Sequence, residues 1–363
     1  MTRYTSTVYM FALAAILLLA SCGKNPIGSK VDRQAKLVFV KTDTLERRGI
    51  YTMNIDGSEL KPIAIKGDTV DFPGWWGNRY VIGETPTPWV INHPRWSPDG
   101  NKIVCQLTWA AEGYVIMIMN ADGSDKHVLW KVRSATLWPR WSPEGDKILF
   151  LRSGGLGAVL GIGIVDSSGE NDRDFVINGG EPPHTPVIFE SDTIWFYSYA
   201  GHDFQWGPTG SQIYGTGRVN EKPDPSQPLP RSPATEIFSF DTNTGNILER
   251  LTYNQVYEDL FQLSPDGQNV AFRRGKYTEP KPNSFFVLSL TDGTLMEISV
   301  DNTINGFWNW SNDSQNIVFA KNENPDKYRK DFYLYMVNIQ QQNEITKLTP
   351  FRATEPDLFI PKQ

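Results

Sequence analysis

A seven-residue pattern recurs along this chain, and its spacing constrains the fold more than any other feature. Three segments read Pro-Arg-Trp-Ser-Pro-Asp-Gly or a close variant, and they begin at Pro94, Pro139 and Phe261. A fourth and weaker copy runs from Trp308 to Ser314. The steps from 94 to 139 and from 261 to 308 are 45 and 47 residues long. Repetition at such a period indicates an array of similar structural units.

Each unit contains two hairpins. The Ser-Pro-Asp-Gly segment is a turn, in which Pro98 fixes φ and Gly100 takes a conformation that a Cβ atom disfavours. An apolar strand follows, then a variable loop, and then two strands joined by an Asp-Gly turn such as Asp122-Gly123. Four short antiparallel strands repeated at this period are typical of a β-propeller blade. We therefore predict an all-β fold of four-stranded antiparallel blades.

The spacing predicts six blades. We expect their inner strands to begin near residues 94, 139, 186, 261, 308 and 356. The copy at Pro186 is degenerate, and it leaves residues 200–236 as an insertion outside the sheet. The last copy, from Glu355 to Ile360, has the first strand of a unit and nothing after it. We expect it to pair with Leu37–Val40, which closes the ring and removes an open sheet edge.

Residues that recur at every period are expected to hold the blades together. Trp96, Trp141, Leu263 and Trp310 occupy one position of the unit and are predicted to pack between blades. Function is expected where the period is broken, in residues 68–92, in the insertion, and in the polar loops 276–283 and 321–330. Aromatic loop residues are common anchors of interfaces. The candidate partner-binding residues are Trp75, Trp76, Trp89, His202, Phe204 and Trp206.

These segments resemble the WD-like repeats of the TolB propeller family, which share the Trp-Ser-Pro-Asp-Gly turn. The resemblance covers nearly all of residues 35–360, with three good copies, one fair copy and two partial ones. TolB carries an additional α/β domain before its propeller. We expect this chain to be the propeller alone, over residues 35–363.

The resemblance implies that the start of each inner strand faces a central channel. The candidate ligand residues at the channel mouth are then His93, Trp138, His184, Asp259 and Glu355. Related propellers that cleave uronic-acid sugars use channel histidines and a metal, and imidazole and carboxylate groups suit a divalent ion. Four His in the whole chain are few for such a site. We therefore predict no metal and no cofactor.

The first residues of the sequence predict where the protein is located in the cell. Residues 8–20 form an uncharged apolar run after Arg3, which is the length of a signal-peptide core. The run ends in Leu19-Ala20-Ser21-Cys22, which resembles the lipobox of bacterial lipoproteins. The resemblance implies a signal peptide over residues 1–21, acylation of Cys22 and a flexible tether over residues 22–34. An ordinary secretory signal with an incidental Cys is the alternative. If Cys22 is acylated, Cys105 lacks a disulfide partner, and we predict that its thiol is buried.

Charge and motifs narrow the function. A formal net charge of −6 argues against nucleic acid as the partner. The chain has no Gly-x-Ser-x-Gly nucleophile elbow and no phosphate-binding Gly-x-x-x-x-Gly-Lys-Ser/Thr motif, so no catalytic residues are assigned. We predict a monomeric lipoprotein of the bacterial envelope, at the outer membrane facing the periplasm or the cell surface, that binds or scaffolds a protein partner. The alternative is a propeller that binds carbohydrate or cleaves it with a metal.

Overall fold

The computed structural model describes residues 35–42, 48–71, 79–83, 90–109, 113–129, 135–153, 159–175, 187–195, 204–219, 235–253, 258–274, 284–300, 304–324, 331–341 and 344–361. These residues form β-sheets, in which all strand pairs but one are antiparallel, and contain no helix. It follows that none of the described ranges supplies a helix with the length and hydropathy needed to cross a bilayer.

The strands form six sheets that are the blades of a β-propeller, as the repeat predicts. From the inner to the outer strand, blade one consists of β28 (Ala353–Phe359), β1 (Lys36–Thr42), β2 (Arg48–Asn54) and β3 (Lys61–Ala64). Blade two consists of β6 (Val90–Trp96), β7 (Lys102–Trp109), β8 (Gly113–Asn120) and β9 (His127–Val128). Blade three consists of β10 (Ala135–Trp141), β11 (Lys147–Ser153), β12 (Val159–Asp166) and β13 (Arg173–Phe175). Blade four consists of β16 (Phe204–Trp206), β17 (Gln212–Val219), β18 (Thr235–Asp241) and β19 (Ile247–Arg250). Blade five consists of β20 (Glu258–Leu263), β21 (Asn269–Arg274), β22 (Ser284–Ser289) and β23 (Leu295–Ser299). Blade six consists of β24 (Ile304–Trp310), β25 (Asn316–Asn322), β26 (Phe332–Asn338) and β27 (Ile345–Lys347).

Two blades carry extra strands. In blade two, β4 (Thr69–Asp71) pairs in parallel with the outer strand β9, and β5 (Arg79–Val81) pairs with β4. In blade four, β14 (Val187–Phe189) and β15 (Asp192–Trp195) form a hairpin. Strand β15 adds to the far end of β17. Both additions lie where the sequence period is broken.

The fourth inner strand corrects the sequence prediction. It is β16, which pairs with β17, and not the segment that begins at Pro186. The turn after it reads Gly207-Pro208-Thr209-Gly210, which keeps Pro and Gly but lacks the Ser and Asp of the other copies. Pattern matching therefore misses it. The expectation that residues 200–236 lie outside the sheet is wrong for the parts that form β16, β17 and the start of β18.

The C-terminal strand closes the ring, as predicted. Strand β28 pairs antiparallel with β1, from Lys36 opposite Phe359 to Lys41 opposite Ala353. It also contacts both neighbouring blades. The Asp357 Oδ2 atom accepts a bond of 2.8 Å from the backbone N–H of Trp96, and the Asn309 side-chain amide donates to the Pro356 carbonyl at 2.6 Å. The last strand of the chain thus joins blades six, one and two.

The repeated tryptophan joins adjacent blades, as predicted. The indole N–H of each of three tryptophans donates to a backbone carbonyl on the inner strand of the preceding blade. The three bonds are Trp141 to Arg95 at 3.2 Å, Trp206 to Arg140 at 3.3 Å and Trp310 to Gln262 at 2.9 Å. Leucine replaces tryptophan at position 263 and has no donor. The buried Trp96 N–H has no acceptor in the described part of the chain.

This difference between equivalent tryptophans predicts a difference in stability. Trp310→Phe removes an indole N–H and leaves the Gln262 carbonyl without that donor, whereas Trp96→Phe removes an N–H that makes no bond. Both changes remove a similar apolar area. We expect the free energy of unfolding, measured by urea denaturation, to fall by about 1 kcal/mol more for Trp310→Phe. Equal losses would show that the hydrogen bond between blades contributes nothing.

Candidate functional site

The six inner strands bring one side chain each to a cavity in the central channel, at the end where the Ser-Pro-Asp-Gly turns lie. The cavity has a volume of about 370 Å³. Each of these residues comes directly before the repeated Trp or Leu position. The six are Arg95, Arg140, Gln205, Gln262, Asn309 and Asp357, which we call the channel ring.

Strand alternation explains how one short segment serves both packing and chemistry. Successive side chains of a strand point to opposite faces, so a residue next to one that packs between blades is turned away from that interface. In blade three, Trp141 packs among residues of blades two and three, and Arg140 faces the channel. The packing position is Trp in four blades and Leu in two. The ring position holds two Arg, two Gln, one Asn and one Asp, so the fold does not require one residue type there.

The two ring arginines lack carboxylate partners. Arg140 donates to the Gln262 side-chain oxygen at 3.1 Å, and Arg95 donates to the Pro94 carbonyl at 2.8 Å. Neither guanidinium forms an ion pair with a carboxylate in the described ranges, and Arg95 Nε has no hydrogen-bond partner there. Burial lowers the pKa of both, and the positive charge of Arg95 contributes to lowering the pKa of Arg140, to about 9. The channel therefore holds two cations whose charge the protein does not fully compensate.

The other ring residues supply hydrogen-bonding groups. Gln205 is 6% exposed, and its side-chain Nε2 has no partner among the described residues. Burial raises the pKa of Asp357, against the attraction of Arg95. An unpartnered buried amide costs free energy unless something bonds to it. The ring thus combines unused donors with one carboxylate, which is an arrangement suited to a polar ligand.

A second layer of residues lies two positions earlier on the inner strands. Four of them have a left-handed backbone, with φ between +52° and +57°, at breaks in the strand register. They are His93, Trp138, Leu260 and Glu355. A bulge bends its strand and redirects the following side chains. The bulge therefore contributes to turning the ring residues, two positions later, toward the cavity.

Three of the predicted channel-mouth residues come together in this second layer. The Glu355 carboxylate accepts the His93 backbone N–H at 2.5 Å and an Arg48 guanidinium N–H at 2.8 Å, and it lies 3.6 Å from His93 Nδ1. The rings of His93 and Trp138 meet edge to face at 5.8 Å. Burial raises the pKa of Glu355 and lowers that of His93, on which Arg95 and Arg48 act in the same direction.

The remaining predicted site residues are placed as follows. Asp259 lies in β20 opposite Arg273, and nothing further is described of its side chain. Phe204 and Trp206 lie in β16, with exposures of 6% and 8%, among the core of blades three and four. Outside the described residues lie Cys22, Trp75, Trp76, Trp89, His184 and His202.

Sequence reasoning missed the channel ring, although one signal points to it. The residue before the repeated Trp is Arg95, Arg140 or Asn309 in three copies, so its charge varies, whereas the next two residues are Trp and Ser in each of these copies. In the described part of the chain, no three His, Cys, Asp or Glu side chains cluster in a way that could hold a metal ion. Cys105 is a buried free thiol, as predicted.

Comparison with known proteins establishes the fold. No family model and no curated protein sequence matches this chain. Among solved structures, TolB from Acinetobacter baumannii is 16% identical and superposes with a TM-score of 0.61, over 91% of this chain and 68% of that chain. A putative TolB from Agrobacterium tumefaciens is 17% identical and superposes with a TM-score of 0.48, over 77% of this chain and 87% of that chain. An oligogalacturonate lyase in complex with manganese is 15% identical and superposes with a TM-score of 0.47, over 84% of this chain and 85% of that chain. The chain has a TolB-like six-bladed β-propeller fold.

The buried state of His93 predicts a dependence of stability on pH. Because its pKa in the folded protein lies well below 6.5, the unfolded chain binds the proton first as the pH falls. Folding therefore loses stability below about pH 6.5, by at most about 1.4 kcal/mol per pH unit. Asparagine tolerates a left-handed backbone and carries no titratable group, so His93→Asn removes this contribution.

We expect the free energy of unfolding to fall more for the wild type than for His93→Asn between about pH 7.5 and about pH 5.5. Glu355, whose pKa is raised, acts in the opposite direction, so the variant is compared with the wild type at each pH. The same pH dependence in both proteins would contradict a buried neutral imidazole.

Proposed function

We propose that this protein is a lipid-anchored binding module of the bacterial envelope, which captures a protein partner over the channel ring. The observation that carries the proposal is the contrast on the same strands between the packing position, which is always Trp or Leu, and the ring position, which holds charged and neutral polar residues. A position that only stabilised the blades would repeat. The ring does not repeat, and it includes two unpaired arginines and an unpartnered glutamine.

The cavity suits a small part of a larger partner. Its volume of about 370 Å³ is near the lower end of ligand sites, which span roughly 300–1,000 Å³. Prolines of four turns line its rim, and they offer apolar contacts around the polar ring: Pro98, Pro143, Pro208 and Pro265. The aromatic residues Trp75, Trp76 and Trp89, with His202, stay proposed contacts for the rest of the partner.

Anchoring rests on the sequence from Leu19 to Cys22. Several acyl chains on one Cys hold a soluble domain at a membrane durably, because each buried CH₂ contributes about 0.8 kcal/mol. Residues 23–34 are the proposed tether between this anchor and the propeller. At the outer membrane, the anchored propeller serves as a scaffold for its protein partner.

Metal-dependent cleavage of a carbohydrate is the less favoured function. The described candidate ligands, His93 and Glu355, lie among the positive charges of Arg48, Arg95 and Arg140. A divalent cation placed there would be repelled by these guanidinium groups.

The anchor is tested by metabolic labelling with an alkyne-bearing fatty acid in a bacterium that expresses the full chain. We expect the wild type to incorporate the label and Cys22→Ala to lose it, because Cys22 supplies the acylated thiol. Cys105→Ala is the matched control and should keep the label, since that thiol is buried. Label that persists in Cys22→Ala, or is absent from the wild type, would contradict the anchor.

The binding site is tested by affinity capture from detergent-solubilised envelopes, with quantification by mass spectrometry. We expect Arg95→Gln and Arg140→Gln to reduce recovery of a partner at least about tenfold, which corresponds to about 1.4 kcal/mol of binding free energy. Arg173→Gln, on the outer strand β13, is the matched control and should recover the partner like the wild type. Equal recovery with all four proteins would exclude the ring as the binding site.

A further inference from the structure

The charge of the channel ring limits the ligand it can take. Arg95 and Arg140 contribute two positive charges and Asp357 one negative charge, so the ring has a formal charge of +1. A monoanion would neutralise this charge, whereas a dianion would leave an excess of negative charge beside Asp357. Guanidinium groups bind carboxylates through paired N–H donors in one plane. The charge therefore favours a single carboxylate.

Two buried hydrogen-bond donors that lack a partner in the described ranges also favour a carboxylate. The Gln205 amide is buried and has no partner among the described residues, although it lines the cavity. Arg95 Nε is likewise buried and without a partner there. Both atoms can only donate, so the group that satisfies them must offer acceptor oxygens. A carboxylate offers two oxygens with about four acceptor sites.

Asp357 requires a second feature of the ligand. One of its oxygens accepts the Trp96 backbone N–H, and a carboxylate has capacity for further donors. A ligand with a hydrogen-bond donor close to its own carboxylate would satisfy this residue. The nitrogen of the last peptide amide is two bonds from the terminal carboxylate carbon, so a peptide C-terminus provides both groups.

The surroundings favour a peptide over a sugar acid. The four tryptophans at the cavity are 5% to 9% exposed, since they pack between blades, and they offer little ring face on which a sugar could stack. The rim carries prolines, which suit the apolar side chains and extended backbone of a peptide.

We infer that the channel ring binds the C-terminal carboxylate of a peptide chain, held by Arg95 and Arg140, with Gln205 donating to it and Asp357 accepting the adjacent amide N–H. This inference rests on the proposed function and names the part of the partner that enters the channel. It also gives a role to the two arginines, since neither forms an ion pair with a carboxylate in the described part of the chain and the charge of Arg95 contributes to lowering the pKa of Arg140.

The test compares two probes that differ only at the terminus. N-acetyl-Ala-Ala with a free carboxylate and its C-terminal amide are titrated against the full propeller, with binding followed by ligand-observed NMR. We expect the acid to bind at least tenfold more tightly than the amide, and Arg95→Gln or Arg140→Gln to reduce the affinity for the acid to that for the amide. Arg173→Gln should leave the difference unchanged.

Two further variants separate binding from folding. Arg95→Lys keeps the charge but loses the paired donors, so we expect an intermediate affinity for the acid. Gln205→Leu keeps a similar side-chain volume but removes the amide group. We expect it to weaken binding of the acid probe and to leave binding of the amide probe unchanged. Melting temperatures of all variants confirm that they fold.

Several outcomes would overturn the inference. Equal affinities for acid and amide, including no detectable binding of either at about 10 mM, would exclude the terminal carboxylate. Tighter binding of D-galacturonate than of the acid would assign the ring to sugar acids, and equally tight binding of sulfate, which is a dianion, would refute selectivity for a monoanion. If capture of a protein partner depends on the ring while acid and amide bind alike, only this inference fails. If capture does not depend on the ring, the proposed function fails.

Discussion

The pairing of β28 with β1 is the constraint on which the rest of the molecule depends. It brings together segments more than 300 residues apart, from Lys36 opposite Phe359 to Lys41 opposite Ala353, and bringing distant segments together costs conformational entropy. In return, it removes the two open edges that a linear array of blades would expose. The same strand carries Glu355 and Asp357 into the channel. Closure and the chemistry of the cavity therefore depend on one seven-residue strand.

On each inner strand, one residue packs between adjacent blades and the residue before it faces the channel. In blade three, Trp141 bonds to the inner strand of blade two, while Arg140 reaches across the channel to Gln262 of blade five. Strand alternation turns the first of these residues toward the neighbouring blade, where an apolar side chain packs, and the second toward the channel, where the residue type is free to vary. Asp357 attracts both arginines but forms no ion pair with either, and proteins commonly accept such a cost in stability at functional sites.

The sequence permitted the prediction of six blades, of the closing strand and of tryptophans between blades, because these follow from a repeat period and from the order of strands. It misplaced the fourth inner strand because Phe204–Trp206 is followed by a turn without Ser and Asp. It pointed to His93 and Glu355 as channel residues, two positions before the ring. The reason is the bulge, whose left-handed backbone becomes evident only in three dimensions. Which donors lack partners depends on how the blades sit around the axis, and no single strand reveals it.

Native-state hydrogen exchange tests the closure most directly, because it reports the free energy at which each strand opens. If β28 keeps the ring of blades closed, the backbone amides that form hydrogen bonds between β28 and β1 exchange only on global unfolding. Their exchange then has the same free energy and denaturant dependence as that of the amides in strand β7 of blade two. Exchange of Leu37, Leu358 and their neighbours at a much lower free energy, while β7 stays protected, would show that the C-terminal strand opens by itself. That result would contradict the view that the ring, and the channel within it, depend on this strand.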